Sequence, residues 1–377
     1  MWSNVIGEAR VKHILTSALE HGKLPSAYLF AGPEGTGKDA AAIELAKAIN
    51  CLNPRNNGTE ACDECASCSA ISSFTSPAVT FVHALPGKDN DREESEQKEE
   101  DLTVIREQRA AKAADPYFNL EIPRATSIKI GQVRELRLAL SRSLAGSKRR
   151  VVIISEADMM NAQSQNAFLK TLEEPHADTL IILTSSNATR LLPTVHSRCQ
   201  EIRFEPLLVD EIAQALQERE ELPEAQAAFL ARLAAGSYSR ARQMIGENVQ
   251  QMRDEIVNFL RMGLSRSRKN ATVEVDRFLP RSAGGSYLEK RQAVEQRLML
   301  LTLWLRDALA LATKAEHEII NLDQKEALVR FVSRFGDPQR IIVAIGCIDR
   351  AMQLTRLQLQ LRPVMLSLIV DLEAALL

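Results

Sequence analysis

Short apolar runs recur along the first half of the chain. Three of them are apolar at every central position, at Tyr28–Ala31, Arg149–Ser155 and Leu180–Ser185, which is typical of strands buried on both faces of a parallel sheet. Two weaker runs, Ala78–Ala84 and Glu201–Phe204, predict further strands. Helix-length segments separate most of these runs. The pattern therefore predicts an α/β domain in which helices cover both faces of a parallel sheet.

Outside these apolar runs, apolar residues mostly recur at helical spacing. Apolar positions three and four apart predict helices near residues 7–21 and 128–140 of the α/β domain. Pro206 closes that domain, so the first predicted domain is 1–206. Residues 207–250 have the pattern of a small helical unit, and 251–377 are helical to the end. We therefore expect an α/β domain followed by two all-α domains.

The first strand is followed by a glycine-rich turn and an amphipathic helix. The turn fits G-x-x-x-x-G-K with Gly32, Gly37 and Lys38, and Gly35 lies between the two pattern glycines. Such a loop binds phosphates because glycines let successive backbone N–H groups point inward, while the helix N-terminus and the lysine add positive charge. The position after the lysine, where Ser or Thr normally binds magnesium, is Asp39. A carboxylate can bind magnesium, but it also repels phosphates.

Four cysteines lie close together after this helix. Cys51 precedes a C-x-x-C-x-x-C run formed by Cys62, Cys65 and Cys68. Four thiolates can surround one tetrahedral zinc ion and leave no open position for water, so we expect a structural zinc module over 51–68. An iron–sulfur cluster, which also takes four thiolates, and a set of free thiols are the alternatives.

The segment that follows the second predicted strand is strongly acidic. Between Asp89 and Asp101 it has eight acidic and two basic residues and no apolar one. Because such a composition cannot bury a core, we expect a solvated, disordered acidic loop over about residues 87–115.

Composition narrows the class of protein. The 377 residues are 45% hydrophobic and 25% charged, with a net charge of −2. These values are ordinary for a globular protein and argue against an autonomous, strongly basic nucleic-acid binder. The N-terminus lacks the apolar core of a signal peptide, and the late apolar runs are too short to span a bilayer. We expect a cytoplasmic protein with no membrane partner.

Several motifs together resemble the clamp-loader branch of the AAA+ ATPases, with the bacterial DNA polymerase III delta-prime type nearest and the gamma/tau type next. Besides the four cysteines, the motifs are GPEGTGKD at Gly32–Asp39, VVIISEADMM at Val151–Met160, NAFLKTLEEP at Asn166–Pro175, LTSSN at Leu183–Asn187 and LLPTVHSRCQ at Leu191–Gln200. The resemblance covers residues 1–250. It implies a RecA-like AAA+ domain carrying the zinc module, a helical lid and a helical collar that joins subunits.

The resemblance also implies a function and residue roles. Clamp loaders open the ring-shaped sliding clamp and place it on primer–template DNA during replication, as hetero-oligomers that contain gamma/tau and delta subunits. By family analogy, Arg198 acts as an arginine finger on ATP bound to the neighbouring subunit, a role suited to a rigid, permanently charged fork. Thr184 and Arg240 take the positions of two nucleotide sensors beside the loop residues Gly32, Gly35, Gly37, Lys38 and Asp39.

Two departures from the family pattern affect the chain's own ATP site. Asp39 replaces the Ser or Thr ligand of magnesium, and Ser155 replaces the strand-end Asp, so only Glu156 remains of the usual acidic pair. These departures favour the delta-prime type, a stator that assists a neighbour's hydrolysis, with ATP or ADP as ligands of a poor magnesium site. The alternatives are a gamma/tau-type motor that uses Asp39 as a metal ligand, and a zinc-containing nucleic-acid-binding module.

Overall fold

The computed structural model describes residues 2–86, 94–141, 149–176, 178–246, 249–264, 268–279, 287–315, 319–321, 324–356 and 359–377. The chain divides into two compact units, Met1–Gln243 and Met244–Leu377. The first unit contains the predicted α/β domain and also residues 207–243, which the sequence assigns to a separate lid. The boundaries of the three predicted domains stay predictions.

A five-stranded parallel sheet forms the centre of the first unit. Its strands are β1 (Ala27–Ala31), β2 (Val79–Val82), β3 (Arg150–Ile154), β4 (Thr179–Ser185) and β5 (Gln200–Arg203). They lie in the order β2-β3-β4-β1-β5, and every pair is parallel. The strands β1 and β4 are buried at every position, which explains their continuous apolar runs. The predicted α/β fold is confirmed.

Helices cover this sheet, and their apolar stripes form its core. On one face, Val133 and Leu136 pack in the same cluster as Phe168 and Leu172 and the inner residues of β3 and β4. The helices of the first unit are α1 (Ala9–Glu20), α2 (Lys38–Asn50), α3 (Ala66–Ser72), α4 (Glu94–Ala114), α5 (Ile130–Leu140), α6 (Ala162–Glu173), α7 (Pro193–His196), α8 (Val209–Glu220), α9 (Glu224–Leu233) and α10 (Tyr238–Gln243).

The acidic segment is a helix where the sequence predicts a disordered loop. The 21-residue helix α4 begins at Glu94 and ends at Ala114, so the prediction is wrong for 94–114, whereas 87–93 lie outside the described residues. The acidic composition obscured a second property of the segment. Glu, Gln, Lys, Arg and Ala, which dominate it, are all strong helix formers, and Asp115–Pro116 supplies a stop because the residue before a proline avoids the helical conformation.

Every secondary-structure element in the described residues of the second unit is a helix. Its helices are α11 (Val249–Gly263), α12 (Arg268–Phe278), α13 (Tyr287–Ala312), α14 (Lys325–Phe335), α15 (Pro338–Arg356) and α16 (Leu361–Leu376). Pro363 lies in the first turn of α16, where the missing N–H costs no helical hydrogen bond. None of the helices in the described part of the chain combines the length and apolar character that crossing a lipid bilayer requires.

Candidate functional site

The glycine-rich turn lies at the carboxyl end of β1, the edge where ligands bind in parallel α/β sheets. Gly35 and Gly37 have φ values of +78° and +97°, which glycine adopts without steric cost. Gly32 has a different requirement, because an added Cβ would lie 2.2 Å from the carbonyl oxygen of Phe204. The predicted strand, loop and helix are therefore present, and all three glycines are needed for the loop conformation.

The side chain of Lys38, the phosphate-binding lysine of the motif, points at the backbone of the glycine-rich loop. Its Nζ donates hydrogen bonds to the carbonyl oxygens of Gly32 at 2.7 Å and Pro33 at 2.5 Å. Burial lowers the pKa of Lys38, although the nearby carboxylate of Asp39 opposes the shift. The lysine thus has polar partners within the protein and lies at the loop where a phosphate would bind.

Asp39, in the first turn of α2, is surrounded by donors from three other elements. It accepts hydrogen bonds from Ser155 Oγ at 2.8 Å and from Thr184 Oγ1 at 2.7 Å. The ammonium of Lys112 lies 2.8 Å from the same carboxylate. Burial raises the pKa of Asp39, but Lys112 and the two hydroxyl donors outweigh burial and hold that pKa below its usual value. Asp39 is therefore an ionised carboxylate with a complete set of protein partners.

Three residues of this site, Lys112, Tyr117 and Asn119, were missed by sequence reasoning because they lie in and after the segment predicted as a loop. Asn119 Nδ2 donates to Glu34 Oε1 of the phosphate loop at 2.6 Å. Tyr117 accepts a hydrogen bond at its hydroxyl oxygen from the backbone N–H of Ile6, at 2.7 Å. The sequence does contain a helix-forming, alanine-rich run that ends at an Asp-Pro step. Such a run predicts a structured segment, but it does not predict that this segment contacts the phosphate loop.

Glu156 follows β3 at the position of the residue beside the attacking water in nucleotide hydrolases. It has a left-handed backbone with φ of +50°, and its N–H donates to Thr184 Oγ1 at 3.2 Å. Burial raises the pKa of Glu156 to about 8, and the carboxylates of Glu34 and Asp158 add to the rise. At neutral pH this group is mostly protonated, and a protonated carboxyl cannot act as a general base.

Arg198 lies on the surface just after α7. Its Nη1 donates to the carbonyl oxygen of Thr194 at 2.9 Å, and its Nη2 forms an ion pair with Glu173 Oε1 at 2.6 Å. The side chains of Arg198 and Glu173 are 34% and 47% exposed. An arginine in this position is accessible to a second protein molecule, and its role as an arginine finger stays a prediction.

Arg240, the predicted second sensor, belongs to α10. The N-terminus of this helix is tied to the phosphate loop, because Tyr238 N–H donates to the carbonyl oxygen of Gly35 at 3.0 Å. The guanidinium of Arg240 donates to the carbonyl oxygen of Ala234 at 3.1 Å. The structure thus brings the α10 backbone to the loop, and the sensor role of this side chain stays a prediction.

The four cysteines form one cluster at the end of α2. Their Sγ atoms all lie within 4.8 Å of one another, with 3.5 Å between Cys51 and Cys62 and 4.0 Å between Cys51 and Cys65. Two sulfurs bound tetrahedrally about 2.3 Å from a zinc ion are about 3.8 Å apart. The predicted ligands are therefore brought together at distances that fit zinc.

Backbone amides around the cluster donate to its sulfurs and favour the thiolate form there, although burial raises the pKa of Cys51 and of Cys68. The N–H groups of Cys62, Cys65 and Cys68 donate to the sulfurs of Cys51, Cys62 and Cys65 at 3.3, 3.3 and 3.4 Å. Burial raises the pKa of Cys65, but the N–H groups of Cys68 and Leu52, together with neighbouring thiols, lower it to about 6. The module is also tied to α2, because Lys47 forms an ion pair with Asp63 at 2.5 Å.

Comparison with known proteins identifies relatives among replication proteins. The delta' subunit of DNA polymerase III from Bacillus subtilis is 28% identical over 320 residues, or 84% of this chain and 81% of that protein. The delta' subunit from Pseudomonas aeruginosa is 30% identical over 271 residues, covering 68% and 63%. The gamma/tau subunit from Mycoplasma pneumoniae is 31% identical over 217 residues, covering 58% of this chain but 26% of that protein.

Two solved structures of Thermotoga maritima proteins also align with the chain. A DNA polymerase III gamma-subunit-related protein matches at a TM-score of 0.39 and 17% identity, covering 97% of this chain and 98% of that one. The RuvB Holliday junction branch migration motor matches at 0.37 and 14%, covering 88% and 89%. These TM-scores are too low to support the assignment of the chain to a family.

A family model described as DNA polymerase III, delta subunit matches residues 7–208, more than half of the 377 residues. The chain therefore belongs to the DNA polymerase III delta-subunit family.

Proposed function

We propose that this chain is a delta-prime-type subunit of the bacterial DNA polymerase III clamp loader, which loads the sliding clamp onto primer–template DNA. The observation that carries the proposal is the family match over residues 7–208, joined by a delta' relative that aligns with 84% of the chain. Its partners in the assembly are the gamma/tau and delta subunits and the clamp, and it meets DNA through the assembled complex in the bacterial cytoplasm.

We infer that the chain's own phosphate loop does not hydrolyse ATP. Hydrolysis requires a magnesium ion that bridges phosphate oxygens and a residue that orients the attacking water. At the first magnesium-ligand position, Asp39 already holds Lys112, Ser155 and Thr184. At the water-orienting position, Glu156 is mostly protonated near neutral pH, because its pKa is raised to about 8. These features support a stator over a gamma/tau-type motor.

The catalytic contribution that we propose is Arg198, acting on ATP held by the adjacent subunit. A guanidinium stabilises phosphate oxygens in the transition state through a fixed, bidentate donor geometry. Its exposure and its ion pair with the more exposed Glu173 support this role, because an exposed pair can exchange partners at little energetic cost.

We assign structural roles to the remaining parts. Zinc bound by Cys51, Cys62, Cys65 and Cys68 would hold together a loop-rich segment with little core of its own. Residues 1–206 form the AAA+ domain, 207–250 the lid and 251–377 the collar through which subunits assemble.

Reconstitution of the clamp loader tests this function. The gamma/tau and delta subunits and the clamp of the same organism are combined with and without the chain, and clamp loading on primed DNA is measured. We expect a stable complex that includes the chain and loading that depends on it. A chain that neither joins the complex nor changes loading would contradict the proposal.

A further inference from the structure

Lys112 binds the residue that stands at a magnesium-ligand position of the phosphate-loop pattern. In proteins with working phosphate loops, magnesium binds the hydroxyl that follows the loop lysine and an acidic residue at the end of a neighbouring strand. The corresponding residues here are Asp39 and Ser155, and they hydrogen-bond to each other at 2.8 Å. The Lys112 ammonium lies 2.8 Å from the same Asp39 oxygen, Oδ2, that accepts from Ser155.

Magnesium does not fit these residues as they are arranged. The ion needs about six oxygen ligands in near-ideal octahedral geometry at about 2.0–2.1 Å. Of the two Asp39 oxygens, Oδ2 accepts from Ser155 and lies against Lys112, while Oδ1 accepts from Thr184. A second cation beside the Lys112 ammonium would also be repelled by it.

The segment that carries Lys112 is fastened around the loop on several sides. The Lys112 ammonium also donates to the carbonyl oxygen of Phe118 at 2.8 Å, which fixes the turn after α4. Ser239 Oγ of α10 donates to the carbonyl oxygen of Tyr117 at 2.6 Å. The Tyr117 hydroxyl lies so close to Gly37 that an added Cβ would be 2.5 Å from it. Together with the Asn119–Glu34 hydrogen bond, these contacts hold residues 112–119 against the phosphate loop.

We propose that Lys112 is a tethered substitute for the metal ion, and that it closes this phosphate loop to magnesium nucleotides. Its single positive charge neutralises Asp39, and its attachment to α4 makes binding to Asp39 an intramolecular event, whereas magnesium must bind from solution. The proposal goes beyond the stator function, because replacement of the two magnesium ligands alone would still leave an open loop for nucleotide.

The first test restores the customary ligands and then removes the lysine. One protein carries Asp39→Thr and Ser155→Asp, and a second carries the same changes with Lys112→Met. Affinity for ATP is measured by titration with magnesium and with a chelator, and zinc content and the urea unfolding curve confirm that each variant is folded. We expect magnesium to strengthen ATP binding at least about tenfold only when Lys112 is replaced. Equal magnesium dependence in the two variants, whether strong or absent, would overturn the proposal.

The second test uses the unmodified protein and does not depend on folding of variants. Lysine residues are acetylated in solution, and the extent of reaction at each is determined by mass spectrometry, with and without millimolar magnesium-ATP. We expect Lys112, which is 4% exposed, to stay unreactive in both conditions while the exposed Lys23 reacts. Reaction of Lys112 that begins on addition of magnesium-ATP would show that the ion displaces the lysine, and would overturn the proposal.

Discussion

The ammonium of Lys112 lies 2.8 Å from the carboxylate of Asp39, and these side chains are 5% and 15% exposed. One residue belongs to the last turn of α4 and the other to the first turn of α2. The pair therefore fastens the segment between β2 and β3 to the phosphate loop. Because both charges are largely removed from water, each depends on the other for compensation.

Removal of one partner should destabilise the protein strongly. We expect Lys112→Met to lower the free energy of unfolding by about 3–5 kcal/mol, the usual cost of an uncompensated buried charge. The double variant Lys112→Met/Asp39→Asn should recover most of this loss, because no unpaired charge remains. The measurement is urea unfolding of the two variants and of the wild-type protein.

The exposed pair of Arg55 and Glu64 provides the matched control, with side chains 57% and 81% exposed. Arg55→Met should cost less than about 1 kcal/mol. A Lys112→Met effect as small as this control would mean that the Lys112 ammonium is not bound at Asp39.

The carboxyl group of Glu156 should make stability depend on pH. Its pKa is about 8 in the folded protein and ordinarily 4.5, so the folded state binds the proton more tightly. The stabilisation is complete below about pH 4.5 and is lost as the pH rises to about 8, by at most about 1.4 kcal/mol for each pH unit. The pKa of Asp39 is lowered from 3.8, so the effect of Asp39 on stability is confined to more acidic pH.

Glu156→Gln should remove this dependence. Urea unfolding of both proteins between about pH 5 and about pH 8 should show the wild-type free energy of unfolding falling relative to that of the variant. Parallel curves would mean that Glu156 titrates near its ordinary pKa and is ionised at neutral pH.

Zinc should be present at one ion per chain when the protein is purified without chelator. We expect Cys65→Ser to lose the ion and to lower the midpoint of thermal unfolding, because metal binding to such a cluster contributes directly to folding. Cys199→Ser is the control, since Cys199 lies outside the cluster and should keep full zinc content. Elemental analysis of the three proteins decides, and wild-type protein without zinc would contradict a zinc module.

The sheet and the two sites were predictable where a short local pattern determines the structure. β1 and β4 are buried on both faces, so β1 and the Leu180–Leu183 part of β4 are apolar at every position. The glycines at 35 and 37 mark a backbone that other residues adopt only with strain. Cysteine spacing limits which sulfurs can meet, and all four predicted ligands form one cluster.

Lys112 could not be predicted because its partner lies far away in the sequence. Its burial depends on how α4 folds back onto the loop, and no local pattern distinguishes it from a solvated lysine. The acidic run before it indicated solvent exposure and was interpreted as disorder, although the same residue types favour a helix.

ATP hydrolysis by the isolated chain should be negligible. Asp39 is occupied by Lys112, and Glu156 is mostly protonated, so neither the metal nor the attacking water would be positioned. A steady-state assay with Lys38→Ala as control measures any residual rate. Turnover of about one per second or faster, abolished by Lys38→Ala, would instead identify a gamma/tau-type motor.

The central claim is that Arg198 of this chain acts on ATP bound at a site on a neighbouring subunit. The matched variants are Arg203→Ala, which removes another exposed arginine, 75% exposed, and Glu173→Ala, which breaks the ion pair of Arg198 but keeps the guanidinium. All three changes should leave folding and assembly nearly intact, because exposed ion pairs contribute little to stability.

The most direct measurement is clamp- and DNA-stimulated ATP hydrolysis by the reconstituted clamp loader containing each variant. With Arg198→Ala we expect the rate to fall at least severalfold, but by less than the roughly 10³–10⁵-fold that a lone arginine finger supplies, because the other subunits keep theirs. Arg203→Ala and Glu173→Ala should hydrolyse ATP at close to the wild-type rate. A wild-type rate with Arg198→Ala in a fully assembled complex would contradict the account.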